Sequence, residues 1–442
     1  MAMMRPETVM KDSGIKWVGL MPANWKTVRI KNLPNQEENS FVDGDWIESS
    51  YITNEGVRYY TTGNIGDGKF KEQGNGYISE NTFNELKCKY AFPGDLVLSR
   101  LNEPYGRSCI IPETEPKCIV AVDNVILRTN EDKRYICYIT QCDGYHAEVG
   151  ELARGTAMKR VSRTNLGTIR IPLPSKIEQL AIADYLDETC SKIDEIIAEA
   201  KASINEYKEL KQSVIFEAVT KGLDKNINVY KTGNSWIPLL PSGVKLSRFG
   251  LHHDIILGKM LCPNPRNEED TLEPYYCAAN VHFDGVTGEL KTMWFNSKEK
   301  ETYVVHKNDM LIVEGGAGAG GTAIMNEEPP VSTFVQNSIM IIRSHMKDNR
   351  YSCYLVQALV KNKYVDVVCN KATIPHFTKE KVSCMPYPVF NRNERNEIAN
   401  YLDERCKQID SLISEKESLI NDLEAYKKSL IYEVVTGKRR VV

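Results

Sequence analysis

Gly316-Ala317-Gly318-Ala319-Gly320-Gly321 satisfies the GxGxxG spacing with which a glycine-rich turn can cradle a pyrophosphate. It follows the apolar run MLIV, as a dinucleotide fingerprint would. The fingerprint also needs a following helix and an acidic residue about 20 positions on. Here TAIMNEEPP follows, and residues 336–342 read QNSIMII. In the first half of the chain the comparable stretch is Leu101-Asn102-Glu103-Pro104-Tyr105-Gly106, which shares only one glycine, Gly106 against Gly321. Both therefore read as strand-joining loops rather than cofactor loops. Asn102-Glu103-Pro104-Tyr105 is close to the Asn/Asp-Pro-Pro-Tyr/Phe motif of adenine-amino methyltransferases. It lacks the first proline, and no glycine-rich S-adenosylmethionine motif precedes it, so it reads as a turn. HExxH, GxxxxGK[ST], GxSxG, CxxC and an EF-hand loop are all absent. The seven histidines have no metal-ligand spacing beyond the adjacent pair His252-His253, which reads as a surface or cap feature. No cofactor or metal is expected in this chain.

The basic and amide-bearing segments point to a polyanion instead. Residues 154–170 carry Arg154, Lys159, Arg160, Arg163 and Arg170 with no acidic residue. Residues 371–381 carry Lys371, Thr373, His376, Lys379 and Lys381 against Glu380 alone. Cationic side chains pair with phosphates, and the small polar residues between them can bond to backbone or base edges. Tyr59, Tyr60 and Asn64 recur as Tyr275, Tyr276 and Asn280. Asn can read adenine in a bidentate pair and Tyr can stack or bind phosphate, although paired tyrosines also suit half-buried strands. Arg100, Asn102, Tyr105 and Arg107 form a further candidate set, in the loop that differs between the two halves of the chain.

The elements that must position these residues occur twice. IADYLDETCSKIDEIIAEAKASINEYKELKQSVIFEAVT (182–220) returns 216 residues later as IANYLDERCKQIDSLISEKESLINDLEAYKKSLIYEVVT (398–436), without a gap and about half identical. The same offset relates Pro172 to Pro388, and an offset of 219 relates Trp17 and Arg29 to Trp236 and Arg248. A period this long is a domain with an attached rod, not a solenoid. The join falls near 222–232, a polar stretch with glycine at both ends. Each globular part reads as mixed α and β. Apolar runs such as 90–100, 118–129, 309–316 and 337–344 are strands between Gly/Pro/Asn signals, and 134–142 and 350–362 are helical, the second more clearly.

Each rod carries an a/d stripe. Ile193, Ile197, Ile204, Tyr207 and Val214 mark the first, and Ile409, Ile413, Ile420, Leu423 and Leu430 the second. No Pro or Gly interrupts either, and each would run about 66 Å if fully helical. Lys211, Lys416 and Lys427 fall on the stripes, where cations lower stability but fix register. Gly222 and Gly437 are the expected stops. The expected partner of each rod is the other. The architecture is thus α+β, with two tandem pseudo-symmetric modules whose long helices pair as an antiparallel coiled coil.

Charge agrees with this division. The chain is −3 overall, but residues 177–220 carry −6 and 393–436 carry −4, which leaves +7 on the rest. Acidic rods therefore mask basic domains, and local sign governs the steering of a polyanion. Composition excludes disorder and a disulfide miniprotein, and the first residues, MAMMRPETVM, lack the pattern of a signal peptide. A cytoplasmic protein with reduced thiols is expected.

The segments DSGIKWVGLMPANWKTVRI, IPLPSKIEQLAIADYLD and RNERNEIANYLDERCKQID resemble the specificity subunit of Type I restriction–modification systems, and the resemblance runs through nearly the whole chain. Asn393-Glu394-Arg395-Asn396 departs from Ile177-Glu178-Gln179-Leu180, which bears on local contacts only. The resemblance implies target-recognition domains at 1–172 and 225–388, each reading one half of an asymmetric split DNA site. It implies conserved helical regions at 173–224 and 389–442. It further implies no catalytic residues in this chain. Methyltransferase subunits, expected to number two, and translocating restriction subunits would bind S-adenosylmethionine, ATP and Mg. Two rival readings are compatible with the sequence: a stand-alone adenine DNA methyltransferase with an unrecognised cofactor motif, and a coiled-coil scaffold whose domains bind protein.

Overall fold

The computed structural model describes all residues except 1–2, 7–8, 75, 115, 157, 284, 370–374 and 442. It divides into two units, one formed by Met1–Ala200 with Ser418–Val442 and the other by Lys201–Glu417. Each unit thus contains one globular part, the first half of its own long helix and the second half of the other repeat's helix.

In the first unit, four antiparallel strands lie in the order Phe41–Asp43, Asn124–Leu127, Leu96–Ser99, Ser108–Ile110. The two inner strands are buried along their whole length, which is why they read as continuous apolar runs rather than alternating ones. A second, three-stranded sheet sets Val57–Tyr60 parallel to Cys118–Val120 and antiparallel to Tyr77–Ile78. Val97, Ile126, Cys109, Val120 and Tyr60 join in one apolar cluster of this unit. Beside the four-stranded sheet lies the short helix Lys133–Ile139, started by Asp132, whose carboxylate accepts from the Tyr135 amide at 2.9 Å.

The second unit repeats the plan. Its four-stranded order is His253–Leu257, Ile339–Ser344, Met310–Val313, Thr322–Ile324, and Thr271–Tyr276 lies between Lys291–Phe295 and Phe334–Val335. Helix Arg350–Lys361 stands where Lys133–Ile139 stands in the first unit. Part of the polar join expected at 222–232 is a strand, because Val229–Lys231 pairs with Leu239–Pro241.

The long helices span Lys176–Lys221 and Arg392–Val435, and glycines at positive φ, Gly222 and Gly437, follow them. Short antiparallel ladders aim each helix. Arg170–Leu173 pairs with Lys26–Arg29, and Pro386–Val389 pairs with Lys245–Arg248. In the first unit the Tyr135 hydroxyl donates to the carbonyls of Pro172 and Val435, and farther along Asp194 meets Lys427 at 2.6 Å. The two helices therefore run antiparallel there. In the second unit Tyr351 bonds to Pro388 and Val219, and Lys211 meets Asp410 at 2.7 Å. Every member of one set lies 216 positions from its counterpart in the other.

Of the stripe residues, Ile193, Ile197, Ile204, Ile409, Ile420 and Leu430 are buried, whereas Tyr207, Val214, Ile413 and Leu423 are half-buried. Each full burial of such a side chain is worth about 1.5–3 kcal/mol. Two of the stripe cations, Lys211 and Lys427, are the ones that meet an aspartate on the facing helix. Among the described residues, no helix is long and apolar enough to cross a membrane.

Candidate nucleic-acid interface

The strand Leu96–Ser99 ends in a loop whose frame recurs in the second unit. Ser99 N donates to Arg107 O at 2.8 Å and Gly106 N donates to Ser99 O at 2.9 Å. After Met310–Val313, Val313 N donates to Gly321 O at 2.8 Å and Gly320 N to Val313 O at 2.9 Å. Both closing glycines have positive φ, 78° at Gly106 and 85° at Gly320. Sequence alone matches Gly106 with Gly321. The backbone pairs it with Gly320, because only that residue closes the equivalent turn. Arg107 thus corresponds to Gly321, and Arg100 to Glu314. The loop 315–321 leads into the strand Thr322–Ile324, not into a helix.

The basic segments lie beside these loops. Val161 N donates to Arg100 O at 3.0 Å, and Leu101 bridges Arg160. In the second unit Phe377 N donates to Glu314 O at 2.6 Å, and Gly315 bridges His376. Two segments some 60 residues apart in sequence thus meet in each unit, at equivalent positions.

Within this convergence the residues divide by exposure. Asn102, Arg154, Lys159 and Arg160 are exposed. Arg154 and Arg160 exchange two backbone bonds of 2.9 Å, and Lys159 lies next to this closing pair. In the second unit His376 and Lys379 are exposed, while Lys371 and Thr373 lie outside the described residues.

Other sequence candidates have structural duties that leave little for DNA. Arg100 is buried; its guanidinium donates to the carbonyls of Val161 and Val122 and lies 3.2 Å from Asp43. Half-buried Arg163 donates to Phe41 O at 2.9 Å. Tyr105 is buried. Half-buried Arg107 is occupied by backbone carbonyls, and burial lowers its pKa from the usual guanidinium value.

The paired Tyr/Asn segments also belong to the frame. Asn64 and Asn280 are buried, and each side chain closes a capping box on a single 3-10 turn while its amide donates to two carbonyls of the following loop. Both donors and the acceptor are spent, so neither can pair with a base. Tyr60, Tyr275 and Tyr276 are buried, and Tyr59 is half-buried. Burial is also the main reason the pKa of each of these four phenols is raised.

The sequence reading missed the acidic side of the first loop. Asp43 and Asp123 face Arg100, Arg160 and Arg163 at 3.2–4.0 Å. These carboxylates come from the end of the strand Phe41–Asp43 and from a turn, both remote in sequence, and no spacing rule connects them to the basic segment.

Among the described residues, no group of three His, Cys, Asp or Glu could hold a metal ion. Of the pair His252-His253, His252 caps the 3-10 turn Phe249–Leu251, as expected of a cap feature, whereas His253 is not a surface residue. His253 is buried, 2.8 Å from the Ser352 hydroxyl and stacked 3.9 Å from Phe249, while His252 contacts Ser247 at 3.0 Å.

Comparison with known proteins fits this geometry. Residues 22–206 match the Type I restriction modification DNA specificity domain. Two relatives come from Methanocaldococcus jannaschii. The MjaVIII type I restriction enzyme specificity subunit is 24% identical over 219 residues, 48% of this chain and 49% of the relative. The chain thus spans about half the length of that relative. The protein described as the MjaX type I specificity subunit is 23% identical over 435 residues, 96% of both chains. Two solved structures share the fold. One is a chain from a study of complex assembly and conformational transition of the type I R-M system, with TM-score 0.72, 16% identity and coverage of 95% of this chain and 99% of that one. The other is the HsdS subunit from Thermoanaerobacter tengcongensis, with TM-score 0.55, 15% identity and coverage of 95% and 98%. Nothing in these matches supports a stand-alone methyltransferase. Residues 22–206 thus match the model of the Type I restriction modification DNA specificity domain, and the chain as a whole shares its tandem fold with these two solved structures.

Proposed function

We propose that this chain is the DNA-reading, non-catalytic subunit of a Type I restriction–modification complex, recognising an asymmetric bipartite site. The observation that carries the reading is the meeting, in both units, of a loop that differs between them with an exposed basic segment. A conserved frame with different contents is what two readers of unlike half-sites require. The exposed cations supply sequence-independent affinity, and base edges are read from the loops they flank.

In this reading residues 1–172 and 225–388 are the target-recognition domains. Residues 173–224 and 389–442 are the helical regions that set the gap between half-sites and dock the methyltransferase subunits, two per chain. Restriction subunits join that assembly. S-adenosylmethionine, ATP and Mg are bound by those partners, and the complex works in the cytoplasm on adenine N6 and by ATP-dependent cleavage.

The test is methylation mapping by single-molecule sequencing in a host carrying the system. A split motif is expected. Exchanging residues 12–150 for those of a relative should change one half of it only. Methyl transfer by the purified chain alone would refute the non-catalytic role, and an uninterrupted motif would refute the bipartite one.

A further inference from the structure

The two reading loops share a frame but not a means of support. In the first, the Arg107 guanidinium reaches five backbone carbonyls: Ile65 at 2.7 Å, Thr62 at 3.1 Å, and Leu101, Asn102 and Pro104 of the loop itself at 3.1, 2.9 and 3.3 Å. The planar fork of donors is suited to tying several backbones in one geometry. It joins loop 101–106 to the turn after Tyr60, which Asn64 already locks.

In the second unit the equivalent position is Gly321. A Cβ there would lie 3.3 Å from the carbonyl of Val281, the counterpart of Ile65, and 3.0 Å from that of Gly318. Backbone thus crowds the position from which Arg107 extends in the first unit, and any side chain there would force those carbonyls to shift by a few tenths of an ångström. Loop 315–320 contains four glycines and two alanines. Beyond its own backbone bonds, such as Ala319 N to Gly316 O and Gly321 N to Gly318 O, it is held by backbone bonds from Gly316 N to Pro375 O and Gly320 N to Val313 O, by one from the Thr322 hydroxyl to Gly320 O, and by Ala319 against the apolar core; among the described residues no side chain ties several of its carbonyls together. Glycine loses more conformational freedom on ordering than any other residue, and a loop that orders on binding gives up affinity that a fixed loop keeps.

We propose that Arg107 is the positioning residue of the first reading loop, holding it in its binding geometry before DNA arrives, whereas the glycine loop of the second unit orders on the DNA. Arg107 then sets the stringency of one half-site without touching a base. This rests on the DNA-reading function proposed above.

The experiment compares wild type, Arg107→Lys and Arg107→Met in the complex with the methyltransferase subunits, by methylation mapping and by binding to duplexes with single-base changes. Both variants are expected to lose about tenfold in discrimination at one half-site, the scale of one good base contact. The other half-site and the salt slope of non-specific binding should not change. One ammonium cannot span five carbonyls, so Lys should fail as Met does. Wild-type stringency in Arg107→Lys with loss in Arg107→Met would mean that the cation contacts DNA directly, and would overturn the proposal.

A second measurement does not depend on how the variants fold. In the unbound wild-type chain, NMR backbone order parameters should be higher in 101–106 than in 315–320, and DNA should raise chiefly the latter. Equal order in the two loops would also overturn it. A split wild-type motif with unaltered variants sinks only the role of Arg107, whereas an uninterrupted wild-type motif sinks the bipartite function.

Discussion

The buried hydroxyl of Tyr351 donates a hydrogen bond to the carbonyl of Val219 at 2.8 Å. It joins the helix beside the four-stranded sheet of the second unit to the C-terminal end of the long helix that began in the first repeat. Tyr135 makes the same bond to Val435 at 3.2 Å in the first unit. Helix ends leave carbonyls without intrahelical partners, and these tyrosines satisfy one in each unit.

Tyr351→Phe should therefore destabilise the second unit by about 1–3 kcal/mol, since it leaves buried carbonyls short of a donor without creating a large cavity. Tyr135→Phe should do the same to the first. Chemical denaturation of the full chain, followed by hydrogen exchange within each unit, measures both. A loss confined to the altered unit is expected.

Stability should depend on pH through His253. Burial, and after it the nearby cationic groups His252, His345 and Arg395, push this imidazole down to about 4, although its bond to the Phe249 carbonyl favours the charged form. An unfolded histidine takes up its proton near 6.5. Between these values the unfolded state binds more protons, so stability falls as the pH drops from about 6.5 towards 4 and is flat above neutrality. The loss should approach roughly 3 kcal/mol. His253→Gln should flatten that part of the melting profile.

The helix–helix ion pairs should matter for register more than for stability. Burial would raise the Asp194 carboxyl, but hydrogen bonds from Lys427 and Lys69 outweigh it and hold the group below its ordinary value. Its contribution is present above the ordinary carboxylate range and is lost as the pH falls through the lowered pKa. The Asp194 side chain is one-third exposed and that of Lys427 about one-fifth, so a double-mutant cycle on the pair should give about 0.5 kcal/mol or less. A markedly larger coupling would show the pair to be more deeply desolvated than this.

The exposed and the inward-facing arginines should separate in a binding assay. Reversing Arg154, Lys159 and Arg160 to Glu should weaken binding to every duplex. The salt slope should shrink by about 0.9 for each phosphate that the variant no longer neutralises. Arg163→Gln, by comparison, removes the donor to Phe41 O and should lower melting temperature more than affinity. Intact affinity in the triple variant would remove that segment from the interface.

By itself the sequence determined the duplication, the two long helices, their stripes and their stops, because helical period and residue-by-residue repetition are local properties that survive in one dimension. It also placed both basic segments. It could not separate exposed Arg160 from half-buried Arg163, or a base-reading Asn from Asn64, whose polar atoms are consumed by its own turn. Those distinctions depend on which carbonyls the folded chain brings within about 3 Å, the reach of a hydrogen bond, and they come from strands far apart in sequence. Tertiary structure alone decided that loop 101–106 meets residues 160–161, and that Gly106 corresponds to Gly320. It likewise set Gly321 against a carbonyl where Arg107 has room for a guanidinium. Strand order creates these neighbours, and no periodicity along the chain encodes it.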